Sequence, residues 1–319
     1  MMLEIRNLYK NYGSFQAVCD LNLSIQKGEI FGFVGHNGAG KTTTMKIIAG
    51  LLTATSGSIT VNGIDAIHKN KEIKHMIGYM PDFFGVYDNL KAIEYMEFYA
   101  SMYGITGSVA KETCRNLMAL VNLSDKEDVY VDSLSRGMKQ RLCLARCLVH
   151  NPELLLLDEP ASGLDPQARF EMKEILKNLG SMGKTIIISS HILPELADMC
   201  DTIGIMKRGR MLLHGSVEDI LTHAQSGGTT LDIRVLTNQE TAVRILKEDP
   251  HVHKVSIREG ELSVNYSGTE MDLAQLMRVL IINNVLISGF QKEKGNLEAL
   301  FLEVTGSLDG ADAGENGGK

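Results

Sequence analysis

At 319 residues the chain is long enough for one full α/β domain and a smaller second one, each burying a core without metal or disulfide staples. A formal net charge of −7 argues against a nucleic-acid partner, because an acidic surface repels phosphate backbones. The five cysteines, Cys19, Cys114, Cys143, Cys147 and Cys200, form no C-x-x-C pair, which points to a reducing compartment such as the cytoplasm and away from a zinc or redox site.

The chain opens on alternating apolar residues, Leu3 and Ile5, then Leu21, Leu23 and Ile25, separated by a turn region around Asn11–Ser14. This reads as edge strands forming a β-rich lip. The apolar run Ile30–Val34 follows and leads into Gly35-His36-Asn37-Gly38-Ala39-Gly40-Lys41-Thr42, then into Thr43–Leu52, which reads as helix. G-x-x-x-x-G-K-[ST] between a strand and a helix is a phosphate-binding loop in its required context, and its ligand class is nucleoside triphosphate. Side chains at the glycines would keep the backbone N–H groups and the positive end of the helix from the anion. Lys41 is expected to reach the β- and γ-phosphates, and the Thr42 hydroxyl to ligate Mg²⁺.

Gly57–Val61 is strand-like, Asn62-Gly63 signals a tight turn, and a short strand at Met76–Met80 ends at Pro81. From Leu90 to Val149 helical periodicity takes over, predicting an inserted helical subdomain over 83–150 in which Cys143 and Cys147 share a buried face. The continuous apolar runs Leu154–Leu157 and Thr185–Ser189, with a helical Gln167–Leu179 between them, predict a βαβ crossover of central parallel strands. Ile203–Met206, the Arg208-Gly209 turn and Met211–His214 predict a closing hairpin, and Ser216-x-x-Asp219 a capped short helix. The first domain is expected to span 1–222, with 223–229 a linker.

Beyond the linker the order strand (Leu231–Leu236), helix (Gln239–Lys247), strand (Val252–Ile257), strand (Leu262–Tyr266), helix (Met271–Asn283), strand (Val285–Phe290) predicts a ferredoxin-like α+β unit over 230–305. A last helix is expected at Asn296–Val304, and the Gly/Asp/Asn-rich 306–319 is expected to be a disordered tail. No secretory signal is expected. The best membrane candidate, Leu276–Phe290, is broken by Arg278 and Asn283-Asn284, so work at a membrane would need a partner.

Asp158-Glu159 closes the Leu154 strand, the place where open parallel sheets hold ligands. Asp158 is placed to hold Mg²⁺, through water, while Glu159, facing the other way along the pleat, takes a proton from the water that attacks the γ-phosphate. His191 follows Ser189-Ser190 at the end of a buried strand, where a neutral imidazole donates to a phosphate oxygen or to water.

Leu134-Ser135-Arg136-Gly137-Met138-Lys139-Gln140-Arg141, ahead of the Asp158 strand, together with Ser162-Gly163-Leu164-Asp165 and His191, resembles the signature set of ATP-binding cassette (ABC) ATPases. Residues 3 to about 220 resemble a complete cassette. The resemblance implies a P-loop NTPase α/β fold, a mostly parallel sheet with an antiparallel lip and the inserted helical subdomain. It implies ATP and Mg²⁺ as ligands, with Gly35 to Thr43 around the phosphates, Tyr12 stacked on adenine and His191 as the switch histidine. In the same geometry Leu134, Ser135, Arg136, Gly137 and Met138, at the start of a helix Met138–Val149, face the γ-phosphate bound by the opposite subunit. Ser162 to Asp165 form the loop that joins two cassettes.

Three positions depart from the family pattern. Arg136 and Met138 stand where Gly and Gln are usual, and Asp82 replaces the glutamine that links Mg²⁺ to the helical subdomain and the membrane partner. A carboxylate there is shorter and anionic; it reaches the metal directly or through one water but donates no hydrogen bond when ionised. Phe83, Phe84, Val86 and Tyr87 beside it are either a docking surface or the seat of the helical subdomain. The implied protein is a transporter ATPase pairing head to tail with a second copy or a paralogous cassette. It would drive a separate membrane permease from the cytoplasmic face of the plasma membrane. The ending Asn296 to Gly306 is most similar to bacterial exporters of the drug, bacitracin or sodium type. The alternatives are a soluble ABC ATPase acting on nucleic acid or ribosomes, and an ATP-dependent clamp without turnover.

Overall fold

A computed structural model describes residues 1–82, 85, 89–220, 229–258 and 261–292. The cluster Phe83, Phe84, Val86 and Tyr87, linker residues 223–228, the helix expected at Asn296–Val304 and the tail lie outside the described residues. The chain divides into two compact units, Met1–Gly215 and Ser216–Lys319.

In the first unit β1 (Leu3–Tyr12) and β2 (Phe15–Ile25) form a hairpin whose register pairs Leu3 with Ile25, Ile5 with Leu23 and Leu8 with Leu21. The alternation seen in sequence thus puts these apolar side chains on one buried face. β4 (Ser56–Val61) pairs along the other side of β1 and β5 (Ile64–Asp65) closes the sheet, giving the order β2-β1-β4-β5. β1 is therefore an interior strand and not the edge expected for it; long-range pairing with β4 leaves no local sequence mark.

The second sheet has the order β10-β9-β3-β8-β7-β6, with β3 (Ile30–Val34), β6 (Ile77–Met80), β7 (Leu154–Asp158), β8 (Thr185–Ser190) and β9 (Thr202–Lys207) running parallel. Every residue of β3, β7 and β8 is buried, as continuous apolar runs require when helices cover both faces. β10 (Arg210–Ser216) completes the hairpin with β9. The register places Val34 beside Ser190 and Asp158 beside Ser189, so the carboxyl ends of three strands lie side by side.

α1 (Lys41–Ile48) begins two residues before the expected Thr43 and ends at Ile48, before the expected Leu52, because Lys41 and Thr42 already take helical conformation behind Gly40. After α2 (Asn70–Ile73) come α3 (Ala92–Met102), α4 (Gly107–Leu120) and α5 (Arg136–Leu148), the helical portion predicted from periodicity. α6 (Pro166–Ser181) makes the β7–β8 crossover, with Pro166 in its first turn, where a missing N–H costs nothing. Buried Arg141 joins these helices: it donates to Val121 O and Asn122 O, at 3.0 and 3.1 Å, and pairs with Glu171 of α6 at 3.1 Å. α7 (Leu193–Ala197) follows β8.

In the second unit Ser216 and Asp219 bond reciprocally at the start of a helix whose described residues are 217–220. The remaining elements are β11 (Thr229–Thr237), α8 (Gln239–Glu248), β12 (Val252–Arg258), β13 (Glu261–Tyr266), α9 (Glu270–Ile282) and β14 (Leu286–Lys292). Their antiparallel order β12-β13-β11-β14 inserts β13 between the two strands that α8 connects. That is the split βαβ of the ferredoxin-like expectation. Leu231, Ile233, Leu262 and Val264 of the sheet pack with Leu246, Leu276 and Leu280 of the helices. Among the described residues no helix is long and apolar enough to cross a membrane.

Candidate active site

Between β3 and α1 the loop Gly35 to Gly40 turns tightly enough to need glycine where backbone crowds it. At Gly40, φ is +107° and a β-carbon would come within 2.6 Å of Ala17 O, so both conformation and space exclude a side chain. Lys41 is 5% exposed, its Nζ donating to Gly35 O at 2.5 Å and to His36 O at 3.4 Å. Burial lowers the Lys41 pKa, and Glu159 and Asp158 oppose that shift. Folding therefore brings the loop lysine and both strand-end carboxylates into one electrostatic group.

Asp158 is 1% exposed. Its Oδ1 accepts hydrogen bonds from Thr42 Oγ1 at 3.1 Å and Ser189 Oγ at 2.5 Å, while Oδ2 is buried without a hydrogen-bond partner. The simple pleat expected for Glu159 is not what the chain does. β7 ends at Asp158, and Glu159 takes a left-handed φ of +51° just before Pro160, which turns its carboxylate back into the same cleft. Its Oε1 lies 3.7 Å from Lys41 Nζ and makes no hydrogen bond, and its Oε2 meets His191 Nδ1 at 2.9 Å. Facing a carboxylate, Nδ1 carries the ring proton, so a neutral His191 presents Nε2 as an acceptor. Donation from Nε2 to a phosphate requires the imidazolium or a ring turned away from Glu159.

Tyr12 and Phe15 sit directly opposite each other at the tip of the β1–β2 hairpin and are 49% and 61% exposed. Opposed residues project from the same face of a ribbon, so both side chains leave the hairpin on one side. Both line a cleft of about 310 Å³ shared with His36 to Thr43, Asp82 and Glu159. Lys10 Nζ lies 5.0 Å from the Tyr12 ring centre. Phe15 was absent from the sequence-based set, and only the hairpin register exposes it as a neighbour of Tyr12. Asp82 is exposed at the end of β6, and together with Asp158 it adds to the burial that holds the Tyr79 phenol above its ordinary pKa.

The signature segment lies at the N-terminus of α5, which starts at Arg136 and not at Met138. Ser135 is the N-cap, its Oγ accepting from Met138 N–H at 3.3 Å, and that cap sets the earlier start. Ser135 and Arg136 are exposed, Leu134 is buried and Met138 half-buried. Gly137 packs against α6 so closely that a β-carbon there would lie 2.7 Å from Ala168 Cβ. The Ser162 to Asp165 loop is adjacent: Gln140 Nε2 donates to Ser162 O at 3.4 Å, and a β-carbon on Gly163 would strike the Arg136 guanidinium at 2.6 Å. Leu164 is buried, and Asp165 caps α6 by accepting Ala168 N–H at 2.8 Å. The structure thus brings Lys41, Thr42, Asp158, Glu159 and His191 together in one cluster, and the signature with the Ser162 loop in another.

This fold and site define a P-loop ATPase. The ABC transporter family profile matches residues 18–162. The linearmycin resistance ATP-binding protein LnrL of Bacillus subtilis (strain 168) is 34% identical over 96% of this chain and 98% of that protein. The bacitracin transport ATP-binding protein BcrA of Bacillus licheniformis is 33% identical over 96% and 97%. A solved dimeric bacterial ABC transporter cassette is 25% identical, with a TM-score of 0.62 over 68% of this chain and 99% of that one. The chain belongs to the ABC transporter family, as an ATP-binding, ATP-hydrolysing subunit. ATPases of this family dimerise and work with a membrane permease.

Proposed function

We propose that this chain is the motor of an exporter: two copies, or one copy and a paralogous cassette, pair head to tail around two Mg·ATP on the cytoplasmic face of the plasma membrane and drive a separate permease. The names of LnrL and BcrA, matched along nearly their whole length, support export. The observation that carries the catalytic reading is the clustering of Lys41, Thr42, Asp158, Glu159 and His191, with one oxygen of each carboxylate hydrogen-bonded and the other without a hydrogen-bond partner.

In this reading Gly35 to Thr43 wrap the phosphates and Tyr12 stacks on adenine. Mg²⁺ fits the site, because the Thr42 hydroxyl and the orphaned, buried Asp158 Oδ2 are the hard oxygen donors such a cation takes, with Asp82 at the cleft wall as a further carboxylate. When bound, the ion neutralises charge on the phosphate oxygens. The free Oε1 of Glu159 accepts a proton from water as the water oxygen bonds to the γ-phosphorus. The bond from that phosphorus to the bridging oxygen breaks, its electron pair leaving with ADP. Lys41 and His191, beside Glu159 at 3.7 and 2.9 Å, keep its carboxylate aimed for that transfer.

Leu134, Ser135, Arg136, Gly137 and Met138 of one copy cover the γ-phosphate held by the other, and Ser162 to Asp165 of each copy line the seam. ATP joins the cassettes and its hydrolysis releases them, so the difference in affinity between ATP and ADP states is what moves the permease. The test is phosphate release by the wild type and by Glu159→Gln together with the size of the ATP-bound species. Loss of release with an accumulating dimer supports the reading, and wild-type release by Glu159→Gln refutes the assignment of the base.

A further inference from the structure

We propose that Ser189 is a positioning residue for hydrolysis, one buried hydroxyl that holds Asp158 by its side chain and Glu159 by its backbone. The inference rests on the reading of those two carboxylates as the hydrolytic pair. Ser189 is fully buried, in the second-to-last position of β8, and stands directly beside Asp158 in the parallel register. Its O–H donates to Asp158 Oδ1 at 2.5 Å, and the same oxygen accepts the Glu159 N–H at 3.1 Å. That N–H also lies 3.2 Å from the Ser189 carbonyl.

A hydroxyl has one proton and two lone pairs, and here the proton and one pair are spent on adjacent residues of the opposite strand. Because Thr42 Oγ1 donates to the same Oδ1, rotating the Asp158 carboxylate would break two hydrogen bonds at once. The consequence is that Oδ2 is the oxygen left facing the cation site. At Glu159 the effect passes through the backbone. A φ of +51° is costly for a residue with a side chain and persists only where surroundings impose it. Ser189 grips the N–H at that bend with both its carbonyl and its hydroxyl, which sets the direction in which the chain leaves β7. That direction brings the Glu159 carboxylate to His191 and Lys41. Ser189 is fully buried behind Asp158 and Glu159 and acts through these two neighbours.

The test uses the full chain as Ser189→Ala, Ser189→Thr and Ser189→Cys. It reads kcat and KM for ATP, the Mg²⁺ concentration giving half-maximal binding of a fluorescent ATP analogue, and the melting temperature. Loss of an outer partner of a metal-holding carboxylate lowers activity or metal affinity by about 10- to 100-fold. Ser189→Ala is therefore expected to lose kcat on that scale with KM for ATP near wild type, and to need more Mg²⁺. Ser189→Thr, which keeps the hydroxyl, returns both. If the added methyl lowers the melting temperature, Ser189→Cys replaces it, and its weak S–H donor places it between alanine and wild type. A Ser189→Ala protein with wild-type kcat and Mg²⁺ requirement overturns the proposal, as does a Ser189→Thr protein that melts like wild type and turns over like alanine. Glu159→Gln in the same assay separates the two levels: if it loses turnover and Ser189→Ala does not, only the role of Ser189 fails, and if both keep it, the carboxylate reading fails.

Discussion

Where the phosphate loop meets β7 and β8, polar groups are buried and hold one another: Lys41, Asp158 and Ser189 are each at most 5% exposed, and their hydrogen bonds link the loop, α1, β7 and β8. Where α5 begins, the polar groups are exposed and their bonds are local, Ser135 and Asp165 capping the helices they precede. In the proposed reading the first region binds the nucleotide phosphates and Mg²⁺ within one chain. The second is an exposed surface on which Gly137 lies close against Ala168 and Gly163 close against Arg136; in the proposed reading it acts on a nucleotide held by a second copy. On that reading, burial marks the part of the site that one chain completes, and exposure marks the part a second copy would complete.

The largest expected effect tests the buried region. Glu159→Gln removes the proton acceptor and should lower phosphate release by about 10²- to 10⁴-fold while leaving nucleotide binding in place, as measured by a phosphate-release assay beside equilibrium binding. Tyr12→Ala should weaken ATP binding by about 1–3 kcal/mol, the worth of one stacked base, with kcat at saturation nearly unchanged. Titration with a fluorescent ATP analogue checks this, and Phe15→Ala in the same titration shows how much the second aromatic of the cleft adds.

On the exposed side, Gly137→Ala is expected to cost about 1–3 kcal/mol from the clash with Ala168, visible as a lower denaturant midpoint, so any fall in turnover must be corrected for folding. The smallest effect on stability belongs to Asp165→Asn. Asparagine caps a helix as well as aspartate does, so the melting temperature should not move, and a drop in ATP-driven dimerisation by light scattering isolates the charge at the seam.

Much of the buried region was legible because its chemistry is local in sequence. The phosphate loop needs its glycines and lysine in one stretch, and apolar runs announced β3, β7 and β8. What escaped was set by register and by backbone twist. Ser189 reads as an ordinary strand end until the β7–β8 pairing places it beside Asp158. The return of Glu159 to the cleft comes from a left-handed residue that pleat alternation does not foresee. Phe15 needs the exact opposition to Tyr12 across a two-residue turn. The start of α5 was misplaced because Ser135 was read as a phosphate contact, whereas its cap bond also starts the helix at Arg136.

The claim that each hydrolytic centre is shared between two copies has a direct test in mixing two inactive proteins. Lys41→Ala lacks a working loop and keeps its signature; Ser135→Arg keeps its loop and blocks its signature. A mixed dimer holds one intact centre, made from the loop of the second and the signature of the first. The account predicts that each variant alone is silent and that phosphate release appears on mixing and rises with total protein concentration. No recovery on mixing, together with turnover by Ser135→Arg alone at any dilution, would contradict it.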